Sequence, residues 1–116
     1  MSDLADLTAK YREFTKERDW EKFHDPRSLI LALVGEVGEL AELFQWEGPA
    51  VTESEASRAA LQQRASEEVA DVFLYLIRLA DVLHIDLLQA AKLKLTRAEE
   101  RFPVSRFSGI APSKLG

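Results

Sequence analysis

The chain has 116 residues, 47% of them hydrophobic and 30% charged, with a formal net charge of −5. This is the size of one domain with enough apolar material for a core, and an acidic balance without a dense basic cluster excludes a sequence-independent nucleic-acid binder. The absence of cysteine excludes disulfides and thiolate metal sites.

No targeting or membrane signal is expected. The segment MSDLADLTAKYREF is amphipathic and contains acids, unlike a signal peptide. The longest apolar stretch, Val69 to Leu83, is broken by Asp71, Arg78 and Asp81, so it does not read as a membrane span. A cytoplasmic protein with no nucleic-acid or membrane partner is the default expectation.

Apolar residues recur at helical spacing in four segments, and no segment alternates like a strand, so an all-α fold is expected. The first helix runs from Leu4 to Arg18, with Leu4, Leu7, Tyr11 and Phe14 on one side. A polar-aromatic loop follows, Asp19-Trp20-Glu21-Lys22-Phe23-His24. Asp25 caps the second helix, with Pro26 at its first position. That helix reaches Trp46, and Glu47-Gly48-Pro49 ends it. Thr52 and Glu55 form a capping box for the third, which reaches Leu83. Asp86 and Gln89 cap the fourth, which ends at Phe102-Pro103. The expected organisation is one helical domain over residues 1–103 and a loosely ordered tail over 104–116. Between Val69 and Leu83 the third helix is apolar nearly all round, with Phe73, Leu74 and Ile77 turned away from the Glu68 face. A helix apolar on all sides needs burial on all sides, and part of this surface is expected to pair with a second subunit.

Two acidic pairs carry the chemistry: Glu36 with Glu39, and Glu68 with Asp71. Each is spaced i,i+3, which places both carboxylates on one helix face. On a wheel with Glu36 at the origin, Leu29 lies at about 20°, Leu40 at about 40° and Leu43 at about 340°. With Glu68 at the origin, Leu61 and Leu79 lie at about 20°, Val72 at about 40° and Tyr75 at about 340°. The acids therefore sit within apolar stripes, where an unpaired carboxylate costs several kcal/mol unless it is neutralised, paired or bound to a cation. Metal binding is favoured over an internal ion-pair network, for which Arg64 and Arg78, on either side of the later pair, would be the partners. Four converging carboxylates form a hard-oxygen set suited to Mg²⁺ or Mn²⁺ rather than iron or zinc. A di-iron bundle would need Glu-x-x-His on two helices, and neither His24 nor His84 follows a Glu at that spacing. Acids such as Glu42, Glu53, Glu55 and Glu67 read as solvated. Trp20, Trp46 and Tyr75 each read singly as core, but beside a metal cage they suit a base pocket. Lys94, Arg97 and Arg101 on the last helix suit phosphate contacts or a solvated face equally well.

The stretch RDWEKFHDPRSLILALVGEVGELAELFQW followed by EEVADVFLYLIRLADV resembles the MazG-like all-α nucleoside triphosphate pyrophosphohydrolases, and most closely their dCTP pyrophosphatase branch. The likeness covers residues 10–103. The family signature, Glu-x-x-Glu then Glu-x-x-Asp, stands here as Glu36-Val37-Gly38-Glu39 and Glu68-Val69-Ala70-Asp71. The resemblance implies a four-helix bundle completed by oligomerisation, as a tetramer built from dimers or as a dimer. It implies a Mg²⁺-dependent house-cleaning enzyme that cleaves a nucleoside triphosphate between its α and β phosphates. The expected substrate is dCTP or a modified dCTP; the alternatives are dUTP, several dNTPs, or a non-catalytic helical oligomer with structural ion pairs. By the same likeness Glu36, Glu39, Glu68 and Asp71 hold the metals and form the catalytic set. Tyr11, Trp20, Glu21, Lys22, Phe23, His24, Trp46 and Tyr75 would line the nucleotide, with Trp20 and Trp46 beside the base, and Lys94 would reach the phosphates. Two positions depart from the pattern: Tyr11 stands where the dCTP branch has histidine, and Ala98 where many relatives have asparagine.

Overall fold

The computed structural model describes residues 2–45 and 54–112, and every regular element among them is helical. The chain separates into two compact units, Met1–His84 and Ile85–Gly116.

The first unit holds α1 (Asp3–Glu17), a 3₁₀ turn (Glu21–Phe23), α2 (Pro26–Gln45) and α3 (Glu55–Val82). Ser2 caps α1, its hydroxyl accepting from the Ala5 amide at 3.1 Å. Asp25 caps α2 as expected: one carboxylate oxygen accepts from the Ser28 amide at 2.9 Å and the other from the Ser28 hydroxyl at 2.8 Å. The expected capping box of α3 involves Thr52, which lies outside the described residues. The observed cap is Ser54, whose hydroxyl accepts from the Ser57 amide at 2.9 Å. Where α1 hands over to the loop, Asp19 adopts φ 54°, and the Trp20 amide donates to the Thr15 carbonyl at 2.9 Å. This reversal brings the polar-aromatic loop back beside the end of α1.

Packing in this unit centres on α3, which contacts α2 along its length and α1 more narrowly. Leu29 of α2 and Leu61, Ile77 and Ala80 of α3 are buried, as is Thr15 of α1. Thr15 escapes the apolar periodicity of α1 because it is not apolar; its hydroxyl is satisfied by the Arg12 carbonyl at 2.8 Å. The core is thin. Ile30, Leu31, Val34 and Val37 of α2 and Val69, Phe73 and Leu76 of α3 stay exposed. Of the three residues turned away from the Glu68 face, Ile77 is covered by its own chain at 2% exposure, while Phe73 is 42% exposed.

The second unit holds α4 (Leu87–Arg101) and a single helical turn, α5 (Val104–Phe107). Asp86 caps α4 by accepting from the Gln89 amide at 3.1 Å. Beside α5, Phe102 and Phe107 meet edge to face with ring centroids 5.1 Å apart.

Candidate metal and nucleotide site

The apolar stripes that carry the acids are the faces along which α2 and α3 pack. Leu29 and Leu61 are buried, and Leu40, Leu43, Val72, Tyr75 and Leu79 are half-buried. Packing these stripes together drives the acids on them towards one another. One carboxylate oxygen from each of Glu36, Glu39 and Glu68 lies within 4.8 Å of the other two. Glu36 and Glu68 are half-buried and Glu39 is exposed. Asp71, expected as the equal fourth member, is exposed and stands outside this closest group. Its negative charge still acts on both Glu36 and Glu68.

Burial and like charge dominate the electrostatics here. Desolvation, then the charges of Glu39 and Asp71, push the Glu36 carboxyl from its ordinary 4.5 up to about 7. Desolvation and the Glu39 charge also raise Glu68. Among the described residues, the groups that shift Glu36 and Glu68 include no basic side chain. Arg78, named as a partner for such a network, points elsewhere: it donates to Asp81 at 3.0 Å and to His24 at 3.0 Å. Two buried oxygens, Glu36 Oε2 and Glu68 Oε2, have no hydrogen-bond partner among the described residues. Orphaned carboxylate oxygens in a group of three acids fit a hard divalent cation, which takes oxygen ligands and favours their charged form.

The aromatic residues divide. Tyr11 of α1 and Tyr75 of α3 are half-buried neighbours. Burial first, then Tyr75 and Asp71, raises the Tyr11 hydroxyl above its ordinary value, while Arg78 opposes the shift. Tyr11, Tyr75 and Asp71 therefore share one surround, at the edge of the acidic group. Trp20 packs edge-on against Phe14 with centroids 5.7 Å apart and remains 44% exposed, which leaves much of its ring open to a ligand. Glu21, Lys22 and Phe23 are exposed on the 3₁₀ turn, and the Lys22 ammonium is held by Asp19 at 2.9 Å. Trp46 lies outside the described residues. Lys94 is on α4 in the second unit and is exposed.

One group was not singled out from the sequence. Arg12 of α1 binds Asp81 of α3 through two bonds, of 3.0 and 2.6 Å. Asp81 also accepts from Arg78, and Arg78 Nε–H donates to His24 Nδ1. The two arginines hold Asp81 below the usual carboxylate range despite its burial. The i,i+3 spacing of Arg78 and Asp81 was the available signal; their link to His24, 54 positions away in sequence, had none. A cleft of about 330 Å³ opens beside this chain, lined by Arg12, Glu21, Arg78, Asp81, Val82 and His84.

Comparison with known proteins agrees with this geometry. No family model matches the chain. It is 49% identical over 112 residues to dCTP pyrophosphatase 1 of Rattus norvegicus, covering 93% of this chain and 64% of that protein. It is 50% identical over 105 residues to dCTP pyrophosphatase 1 of Homo sapiens, covering 86% of this chain and 59% of that protein. The chain thus spans less than two thirds of the length of these curated relatives. A crystal structure of a pyrophosphatase from Archaeoglobus fulgidus superposes with a TM-score of 0.72 at 34% identity, covering 89% of this chain and 94% of that one. The chain belongs to the MazG-like all-α pyrophosphohydrolase family, and these curated relatives of it are dCTP pyrophosphatases.

Proposed function

We propose that this protein hydrolyses dCTP or a modified dCTP to the monophosphate and pyrophosphate, with Mg²⁺ held by Glu36, Glu39, Glu68 and Asp71. The observation that carries this reading is the convergence of Glu36, Glu39 and Glu68 within 4.8 Å, with two buried carboxylate oxygens unpartnered. When bound, the divalent cation offsets the triphosphate charge and makes water a better nucleophile at neutral pH. The chain's own residues do the rest. The acids repel a bare triphosphate, so nucleotide and cation bind together. Glu39, the exposed member of the closest three, takes the proton of the attacking water as the α–β anhydride opens. Trp20 stacks on the base, and Tyr11 and Tyr75 close the side nearest Asp71. Lys22, Glu21, Phe23 and His24 present the loop to the nucleotide.

The active form is an oligomer, a dimer or a dimer of dimers. Support comes from the apolar residues left exposed on α2 and α3, including Leu31 at 62% and Val34 at 63%. Surfaces of that kind on a small domain mark contact sites.

Alanine at Glu68 or at Asp71 tests the catalytic reading. Each variant should lose about 10²-fold or more in turnover of dCTP while keeping its helical circular dichroism. Near-normal turnover in both would contradict it. Trp20→Ala should raise KM for dCTP and blur discrimination between bases, with Mg²⁺ affinity unchanged.

A further inference from the structure

We propose that Arg78 is a positioning residue that fixes His24 as a neutral donor toward the nucleotide, through a relay running Arg12–Asp81–Arg78–His24. The inference rests on the reading above that His24 faces the nucleotide.

The geometry assigns the proton. Arg78 is 6% exposed, and its Nε–H donates to His24 Nδ1 at 3.0 Å. An imidazole nitrogen that accepts cannot carry a hydrogen, so the proton of the neutral ring is on Nε2. The nitrogen left for a ligand is therefore a donor, suited to an acceptor such as a phosphate oxygen or the carbonyl of a pyrimidine. It is neither an acceptor nor a cation.

Each further link narrows the freedom of the one before. Arg78 Nη1 is tied to Asp81 Oδ2 at 3.0 Å, and both Asp81 oxygens are also engaged by the two-pronged contact with Arg12. A guanidinium fixed at both edges is a rigid fork. It spans from α3 to the residue just before the Asp25 cap of α2. The charged groups acting on the His24 ring are Arg78 and, from the 3₁₀ turn, Glu21. Burial and the Arg78 cation both lower its affinity for a second proton, in keeping with a neutral ring.

Nitrogen-15 histidine spectra of the whole chain test the tautomer directly. In the wild type at neutral pH, His24 should show a protonated Nε2 and an unprotonated Nδ1. A protonated Nδ1 would overturn the proposal. Arg78→Leu leaves Asp81 paired with Arg12; it should mix the two tautomers and raise KM for dCTP about five- to tenfold, with kcat little changed. The same change made in a His24→Ala background should add almost nothing, because Arg78 acts through His24. An Arg78→Leu penalty of equal size in both backgrounds would mean a merely structural role and would overturn the proposal. If Arg78→Leu does not fold, Arg78→Lys, which keeps the charge but has a single donor nitrogen in place of the fork, should give a smaller KM increase that likewise vanishes without His24. Failure of the functional reading looks different: the wild type itself would release no pyrophosphate from any nucleotide, and both conclusions would fall together.

Discussion

Glu36 shows how far one residue can report on the site. Its carboxyl is raised from 4.5 to about 7 by burial first and by neighbouring acids second. A folded-state value above the unfolded one means that folding favours the protonated form. Its contribution to stability is complete below pH 4.5 and is lost as pH rises through 7. Glu68, shifted the same way, adds to the trend. Without metal, Glu36→Gln should therefore melt close to the wild type at pH 4.5 and above it at pH 8, as followed by thermal denaturation. Adding Mg²⁺ at pH 8 should raise the wild-type Tm and leave that of the variant nearly unmoved, because a ligand that binds only the folded state stabilises it. Position on the helical wheel made Glu36 and Glu68 legible as buried acids, since the apolar neighbours are printed in the sequence. The same arithmetic ranked Asp71 with them, although it is exposed. Wheel angles give the face of a helix; burial also depends on where along the axis the partner helix crosses. The partner of Arg78 was not legible for a related reason. Helical spacing offers it both Asp71 and Asp81, one or two turns away, and only the approach of Arg12 and His24 from other segments selects Asp81.

At the scale of elements, the signals with local causes were the readable ones. Asp25 and Asp86 cap their helices because short polar side chains reach back to free amides two or three positions on, a rule that needs no tertiary knowledge. The start of α3 was less legible because the segment holds several capping residues in a row, and Ser54 competes with Thr52. Ser54→Ala should destabilise the chain by about 1 kcal/mol in urea titration. The α2–α3 contact has a larger stake. Leu29, at 1% exposure, anchors α2 on the stripe that carries Glu36, and Leu29→Ala should cost about 2–5 kcal/mol. It should also weaken Mg²⁺ binding, since the three closest acids come from both helices. A Leu29→Ala variant with wild-type stability would mean that α2 is held by something other than this face.

For the molecule as a whole, the excess of apolar surface was visible in the sequence, but its distribution was not. Ile77 is satisfied within the chain, whereas Leu31 and Val34 of α2 are among the most exposed apolar residues. If these residues face a second copy, Leu31→Glu with Val34→Glu should shift the mass seen by light scattering to that of one chain. A monomeric wild type would contradict the oligomer. The catalytic claim is tested most directly by pyrophosphate release from a panel of dNTPs, NTPs and 5-substituted dCTPs, with and without Mg²⁺. The account predicts cleavage of dCTP or a substituted dCTP to the monophosphate and pyrophosphate that starts on adding Mg²⁺ and stops on chelation. Release that ignores Mg²⁺, or no release from any nucleotide, would contradict it.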